Sequence, residues 1–496
     1  LDRNRHFKLC LSLLAFYAPA FIIGLAVIGI LQMPTQSGTF AGSQESIVAR
    51  TDPLAHPPPA TEDKVIPRSA MGRVIDADTG RPVVHATLYN AGKAHFSDDQ
   101  GHFSIVAASG KEPLLVKAPG YRQTSLRIPD SGECRVKLAP FNAKGLYLTH
   151  YGIGSKLLRN RVLELISERG LNTLVIDVKG DRGYLSYKYE VPTAREIGAL
   201  KIPTIKDIGA LIRDLHNRKI YVIGRIVVFK DNLLANAHPE WAIIDTRSGK
   251  PWIDNEKLAW VDPFHEEVWR YDIAIARAAA QAGFDEIQFD YVRFPTDGRI
   301  SAARYSKPNT LENRVKTINR FLETAARELL PYNVYFSADV FGYVPWNFND
   351  TDIGQSLPEL ARYVDYICLM VYPSGYHLGI PGFRIPVSHP REVVYLTLEQ
   401  AKKRLNGQAE KFRPWLQNFR DYGFDRRPFT EEQIRLQIQA CKQANTSGWM
   451  LWDPSNMYRY TADALRPASV PVAKAGEAPA TQTGQQDSKP QSGEGK

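Results

Sequence analysis

Three aspartates stand where a chain can do acid–base chemistry: Asp177, Asp290 and Asp339 each fall at or near the end of a short apolar run, 174–178, 284–290 and 334–339. As a strand, the middle run alternates, with Ile287 and Phe289 on one face and Gln288 and Asp290 on the other, and it breaks into a loop at Pro295. Each carboxylate then stands at the C-terminal end of a strand. Two carboxylates meeting there suit cleavage of a glycosidic bond, in which one group protonates the leaving oxygen and the other serves as nucleophile or base. The plainer reading is that each aspartate pairs with an arginine or lysine, or caps the next helix, with Arg293 and Lys179 as the obvious salt partners. That reading covers one aspartate more easily than all three.

Other strand ends carry groups suited to a polar, ring-shaped ligand. Tyr372 follows the run 366–371, Gln417 ends 413–417, and Trp452 and Asp453 follow 448–451. All eight tryptophans lie between Trp241 and Trp452, several of them in loops or at strand ends, where an aromatic face can stack on a sugar ring. Trp346 is one of these; Trp269 and Trp449 sit within helix or strand runs and belong in a core. The catalytic candidates are thus Asp290, Asp339 and Asp177, and the substrate contacts Lys179, Arg293, Tyr372, Gln417, Trp346, Trp452 and Asp453. No His-x-His, His-Glu-x-x-His or Gly-x-Ser-x-Gly pattern is present, and neither a metal nor a cofactor is expected.

Groups at strand ends need a scaffold that gathers those ends. The runs 145–149, 171–178, 220–228, 284–290, 334–339, 366–371, 413–417 and 448–451 predict eight strands. Helical periodicity separates most of them, in 155–169, 205–219, 265–282, 313–330, 391–405 and 431–444, and a long connection rich in Trp, Asp and Pro runs from 229 to 263. Eight strands alternating with helices predict an α/β fold, a (β/α)8 TIM barrel whose site lies at the C-terminal face. A doubly wound sheet fits less well, since no Gly-x-Gly-x-x-Gly turn follows the first strand.

The rest of the chain flanks this barrel. Residues 1–8 include Arg3, Arg5 and Lys8 and precede an uncharged run, 9–31, about 35 Å long as a helix. This run predicts a transmembrane signal anchor, and the basic residues before it predict a cytoplasmic N-terminus with everything after it periplasmic or extracellular. Residues 32–67, with Pro57-Pro58-Pro59, read as a disordered tether, and 467–496 as a disordered tail. Between 68 and 140, short alternating runs punctuated by turns such as Asp78-Thr79-Gly80 predict a small β-sandwich. The barrel is expected at 144–466, folding without its neighbours. Four cysteines, Cys10, Cys134, Cys368 and Cys441, share no metal or disulfide spacing and read as free thiols. The net charge of +9 is scattered rather than clustered, so nucleic acid is not an expected partner.

Two resemblances add to this. The order Gly-x-Val, Asp-x-x-Thr-Gly-x-Pro-Val, Ala-Thr-Leu, Asp-x-x-Gly-x-Phe and Ala-Pro-Gly-Tyr within 72–121 resembles the carboxypeptidase regulatory-like domain, which implies a non-catalytic accessory module. The barrel resembles a bacterial family of glycoside-hydrolase-like proteins, catalogued as a domain of unknown function and akin to amylase-like barrels. That resemblance rests on Lys-Gly-Leu-Tyr-Leu-Thr from Lys144, Leu-Val-Ile-Asp-Val-Lys-Gly-Asp-Arg-Gly from Leu174, Phe-Asp-Tyr-Val-Arg-Phe-Pro from Phe289, Ser-Ala-Asp-Val-Phe-Gly from Ser337, Met-Val-Tyr-Pro-Ser from Met370 and Gly-Trp-Met-Leu-Trp-Asp-Pro from Gly448. It implies Asp290 as nucleophile; the strand-five partner, commonly Glu in amylase-like barrels, is here Asp339. The expectation is a membrane-anchored, extracytoplasmic glycosidase acting on an envelope or extracellular polysaccharide. The alternatives are a carbohydrate-binding barrel without catalysis and a metal-assisted hydrolase using Asp177, Asp181 and Asp290.

Overall fold

The computed structural model describes residues 68–107, 112–129 and 133–466, so the expected anchor, tether and tail lie outside the described residues. Eight parallel strands close into a barrel: Ala143–Leu148, Thr173–Lys179, Tyr221–Val227, Glu286–Asp290, Tyr335–Phe341, Tyr366–Met370, Trp415–Gln417 and Gly448–Trp452. They pair in chain order, and the last pairs with the first. This is the TIM-type barrel expected, with boundaries shifted by a residue or two.

Local chemistry sets where the outer helices start and stop. The Asp207 side chain accepts from Ala210 N at 2.8 Å to open the helix Ile208–Asn217. Thr430 and Gln433 form a capping box that opens Glu431–Gln443. Gly283, at φ +104, ends Glu266–Ala282 in a left-handed conformation that a side chain would strain. A single short turn of helix, Leu357–Leu360, leads into the sixth strand. The long connection after the third strand is built rather than loose: it carries the helix Asn232–Ala237 and the strand Ile244–Asp245, which pairs with Ala303–Arg304.

Strand parity sorts the barrel's contents. Outward-facing residues such as Leu146, Ile176, Ile287, Phe289, Ala338 and Leu369 bury against the helices in one large apolar cluster. Inward-facing residues stack in layers. At the N-terminal end Tyr221, Glu286, Ser337 and Arg413 form a fully buried network, with the Glu286 carboxylate accepting from Arg413 Nη1, from Tyr221 OH at 3.0 Å and from Ser337 Oγ at 2.6 Å. The middle is filled by Val175, Ile223, Gln288, Cys368 and Met450. The C-terminal layer is the polar one described below. Cys134, Cys368 and Cys441 are free and buried, and no helix among the described residues is long and apolar enough to cross a membrane.

Residues 68–138 form a three-stranded and a four-stranded sheet that share one apolar cluster including Val74, Leu88, Phe103, Ile105, Val116 and Val136. This unit closes the N-terminal end of the barrel. Tyr335 OH donates to Ala118 O at 2.8 Å, Gly120 N donates to Tyr366 OH at 3.0 Å, and Arg122 lies over the Phe141 ring at 3.7 Å. Lys117 Nζ reaches across to Val334 O at 2.7 Å and Asp365 Oδ2 at 2.6 Å. A barrel fragment beginning at Lys144 would therefore expose tyrosines whose partners lie before it. Lys117→Ala is expected to cost about 1.5–3 kcal/mol, the range for a hydrogen bond to a charged group. The urea midpoint of the chain would measure this, and an unchanged midpoint would show that the contact does not brace the barrel floor.

Candidate active site

Inward parity brings Asp177, Arg225, Asp290 and Asp339 to the C-terminal end of the barrel, with Arg225 at the centre. Its guanidinium donates from Nη1 to Asp177 Oδ1 at 2.6 Å and from Nε and Nη2 to Asp290 Oδ2 at 3.0 and 2.5 Å. Asp339 Oδ2 lies 3.9 Å from the same Nε. All four residues are nearly or fully buried, where an unpaired charge would be costly, so the arginine is what allows the acids to converge. Because one Nε lies 3.0 Å from Asp290 Oδ2 and 3.9 Å from Asp339 Oδ2, the two oxygens are closer than the far end, roughly 9.5 Å, of the separation seen in inverting glycosidases.

The two cavity acids differ in surroundings. Asp290 is ion-paired, and its second oxygen accepts from Tyr291 N at 2.6 Å, where the chain turns sharply with Tyr291 at φ +52. Asp339 accepts one hydrogen bond, from Trp415 Nε1 at 2.8 Å. Burial, and after it the neighbouring Asp290 charge, pushes Asp339 well above the ordinary carboxylate range, and Arg225 offsets this only in part. Of the two, Asp339 is therefore the one placed to carry a proton.

Both acids line a cavity of about 200 Å³. Trp415, Trp452, Tyr372, Tyr422 and Trp260 contribute aromatic surface to it, and Lys230, Glu256, Arg293 and Asp297 contribute charged groups. Tyr147 stacks under Trp452 at 4.0 Å, so the floor is a packed aromatic block rather than a mobile rim. A pocket that pairs aromatic faces with a few polar groups suits a sugar ring.

The structure brings Asp290, Asp339, Arg293, Tyr372 and Trp452 to this cavity and places the other expected residues elsewhere. Asp177 lies beneath Arg225, its Oδ2 accepting from Tyr147 OH at 2.7 Å and His150 N at 3.1 Å, and does not line the cavity. Lys179 is fully buried behind the barrel between Asp231 and Asp272, at 2.8 and 2.6 Å. The pairing of strands two and three shifts register between Arg225 and Ile226, so the parity that turns Asp177 inward does not carry on to Lys179. Gln417 is spent on the neighbouring loops, accepting from Ser374 N at 3.0 Å and donating to Ser374 Oγ at 2.7 Å and Phe419 O at 3.2 Å. Trp346 donates to Thr397 Oγ1 at 3.0 Å behind the wall, and Asp453 closes a turn by accepting from Ser455 N and Tyr458 N. Arg293 is not the salt partner of Asp290; Arg225 is. An arginine at inward parity inside the apolar run 221–227 was the signal for it. Lys230 and Glu256 meet at 2.8 Å across the long connection, a contact no sequence period announces.

A family model described as "Putative glycosyl hydrolase domain" matches residues 145–458. No curated protein matches the chain. Among solved structures, a hypothetical protein of Ruminiclostridium thermocellum ATCC 27405 shares 39% identity over 39% of this chain and 97% of its own, with a TM-score of 0.35. The PgaB (BpsB) glycoside hydrolase domain of Bordetella bronchiseptica shares 17% identity over 66% of this chain and 98% of its own, with a TM-score of 0.45. A chitinase of Cycas revoluta shares 9% identity over 65% of this chain and 98% of its own, with a TM-score of 0.40. The family match spans more than half of the chain, from within the first barrel strand to beyond the eighth, and this protein belongs to the putative glycosyl hydrolase domain family.

Proposed function

We propose that the chain is a glycoside hydrolase of polysaccharides, with Asp339 as the proton donor to the leaving oxygen and Asp290 as nucleophile or base. The observation that carries this is the division of labour at one cavity: an ion-paired Asp290 stands beside an Asp339 that burial drives toward its protonated form. Arg293, Tyr372 and Trp452 contact the substrate. Asp177 holds Arg225 in place.

The flanking segments complete the reading. The run 9–31 anchors the chain in a membrane, 32–67 links it to the domains that follow, the sheets at 68–140 serve as a carboxypeptidase regulatory-like accessory module, and 144–466 is the hydrolase domain. The barrel then acts outside the cytoplasm on an envelope or extracellular polysaccharide.

One observation favours a second reading, a binding barrel without catalysis: both oxygens of Asp290 are engaged, one by Arg225 and one by Tyr291 N. The metal-assisted alternative loses its site, because the Arg225 guanidinium already bridges Asp177 and Asp290. Incubating the protein with envelope and exopolysaccharide preparations tests the proposal. New reducing ends are expected; retention of polymer without new ends would favour the binding reading.

A further inference from the structure

The cavity wall carries three cations, and two of them are neutralised. Arg225 is bridged to Asp177 and Asp290, and Lys230 Nζ lies 3.0 Å from Asp254 Oδ2 and 2.8 Å from Glu256 Oε2. Arg293 is the third. Its Nη1 donates to Phe294 O at 3.1 Å and to Thr296 Oγ1 at 3.4 Å, both neutral acceptors on its own loop. Among the described residues, Nε and Nη2 have no hydrogen-bond partner and no carboxylate lies within ion-pair distance.

The guanidinium is nonetheless held in place. It lies over the rings of Trp260 and Tyr291, at 5.3 and 4.9 Å, which fix its plane at the cavity wall. The neighbouring acid on that wall, Asp297, makes no ion pair with it; burial raises the Asp297 carboxyl above the usual range, and the Arg293 charge offsets this only in part. A half-buried guanidinium packed on aromatic rings, without a counter-ion of its own, is a site that a ligand's anion completes. Its open edge, Nε with Nη2, is the fork that matches a planar carboxylate with two parallel hydrogen bonds.

We propose that Arg293 anchors an acidic sugar, a uronate-type unit whose carboxylate it binds in the subsite beside Asp290. This rests on the glycosidase reading of the same cavity. Neutral units then occupy the aromatic side, against Tyr372 and Trp452, and the acidic unit sets which bond meets the two aspartates.

The test uses the full-length chain carrying Asp290→Asn, so that ligand is bound and not consumed. Calorimetry would compare galacturonate and mannuronate oligomers with their carboxyl-reduced, neutral counterparts and with sulfated dextran oligomers. At least one uronate oligomer is expected to bind about tenfold or more tightly than its reduced form, the scale of a charge-assisted bidentate contact. Adding Arg293→Gln should abolish that difference, and Arg293→Lys should restore only part of it. Equal binding of the reduced form, a preference that survives Arg293→Gln, selective binding of the sulfated oligomers, or no binding of any uronate oligomer would each overturn the proposal. Cleavage of neutral glycans by the wild type with no acidic preference would overturn it and leave the hydrolase reading standing. Acidic binding with no cleavage by the wild type would remove the hydrolase reading alone.

Discussion

Asp290→Asn is expected to slow glycan cleavage by on the order of a hundredfold or more while leaving glycan binding largely intact. Asparagine keeps the shape and can still meet the Tyr291 amide, but it supplies neither a nucleophile nor a base. The variant also removes a charge beside Asp339, the largest influence after burial that raises that acid, and leaves Arg225 with Asp177 as its close partner. Asp339 should therefore lose its proton more readily in the variant. Thermal melting and binding assays on the same preparation separate lost chemistry from lost fold. A variant that cleaves at the wild-type rate would remove Asp290 from the mechanism.

Asp339→Asn is expected to do two things at once. It deletes the proton donor, which costs about a hundredfold to ten-thousandfold in rate on glycans with poor leaving groups. It should also raise stability at neutral pH. Burial raises Asp339 in the folded state above its unfolded value near 3.9, so between the two values the folded chain holds a proton that the unfolded chain has released. Stability is therefore full below the unfolded value and falls as pH rises toward the folded one. Asparagine cannot ionise, so its advantage over the wild type in melting temperature should grow as pH rises above the unfolded carboxylate value toward the folded one. Its amide oxygen can still accept the Trp415 bond. An asparagine variant that becomes less stable relative to wild type as pH rises would show that Asp339 is held as a charge instead. The wild-type rate should fall on the alkaline side as Asp339 loses its proton, and the variant's residual rate should lack that limb.

The barrel was legible because its signal is periodic. Apolar runs alternate with helical segments in the sequence, and the eight strands and most of their helices fall where that alternation puts them. Asp290 and Asp339 were legible because strand parity fixes which side chains face the axis, and it held for both. The same rule failed for Lys179, where a register shift between neighbouring strands intervened, and for Gln417, whose side chain serves the backbone of two loops. Arg225 is visible in the sequence as an inward-parity arginine, but Arg293 is the nearer neighbour of Asp290 along the chain. Its meaning depends on three strands arriving side by side, which no local pattern records. The Lys230 and Glu256 contact depends on how the connection 229–263 folds back, and composition alone does not encode that path.

The most direct measurement is the mass balance of the reaction. An oligosaccharide of defined mass, incubated with wild type and with Asp290→Asn, is followed by mass spectrometry of all products. Hydrolysis predicts two fragments from the wild type whose masses together exceed the parent by one water, and intact parent from the variant over the same time. Fragments that sum to the parent alone would show elimination rather than hydrolysis, and a parent that the wild type binds but leaves whole would contradict a catalytic Asp290 and Asp339 altogether.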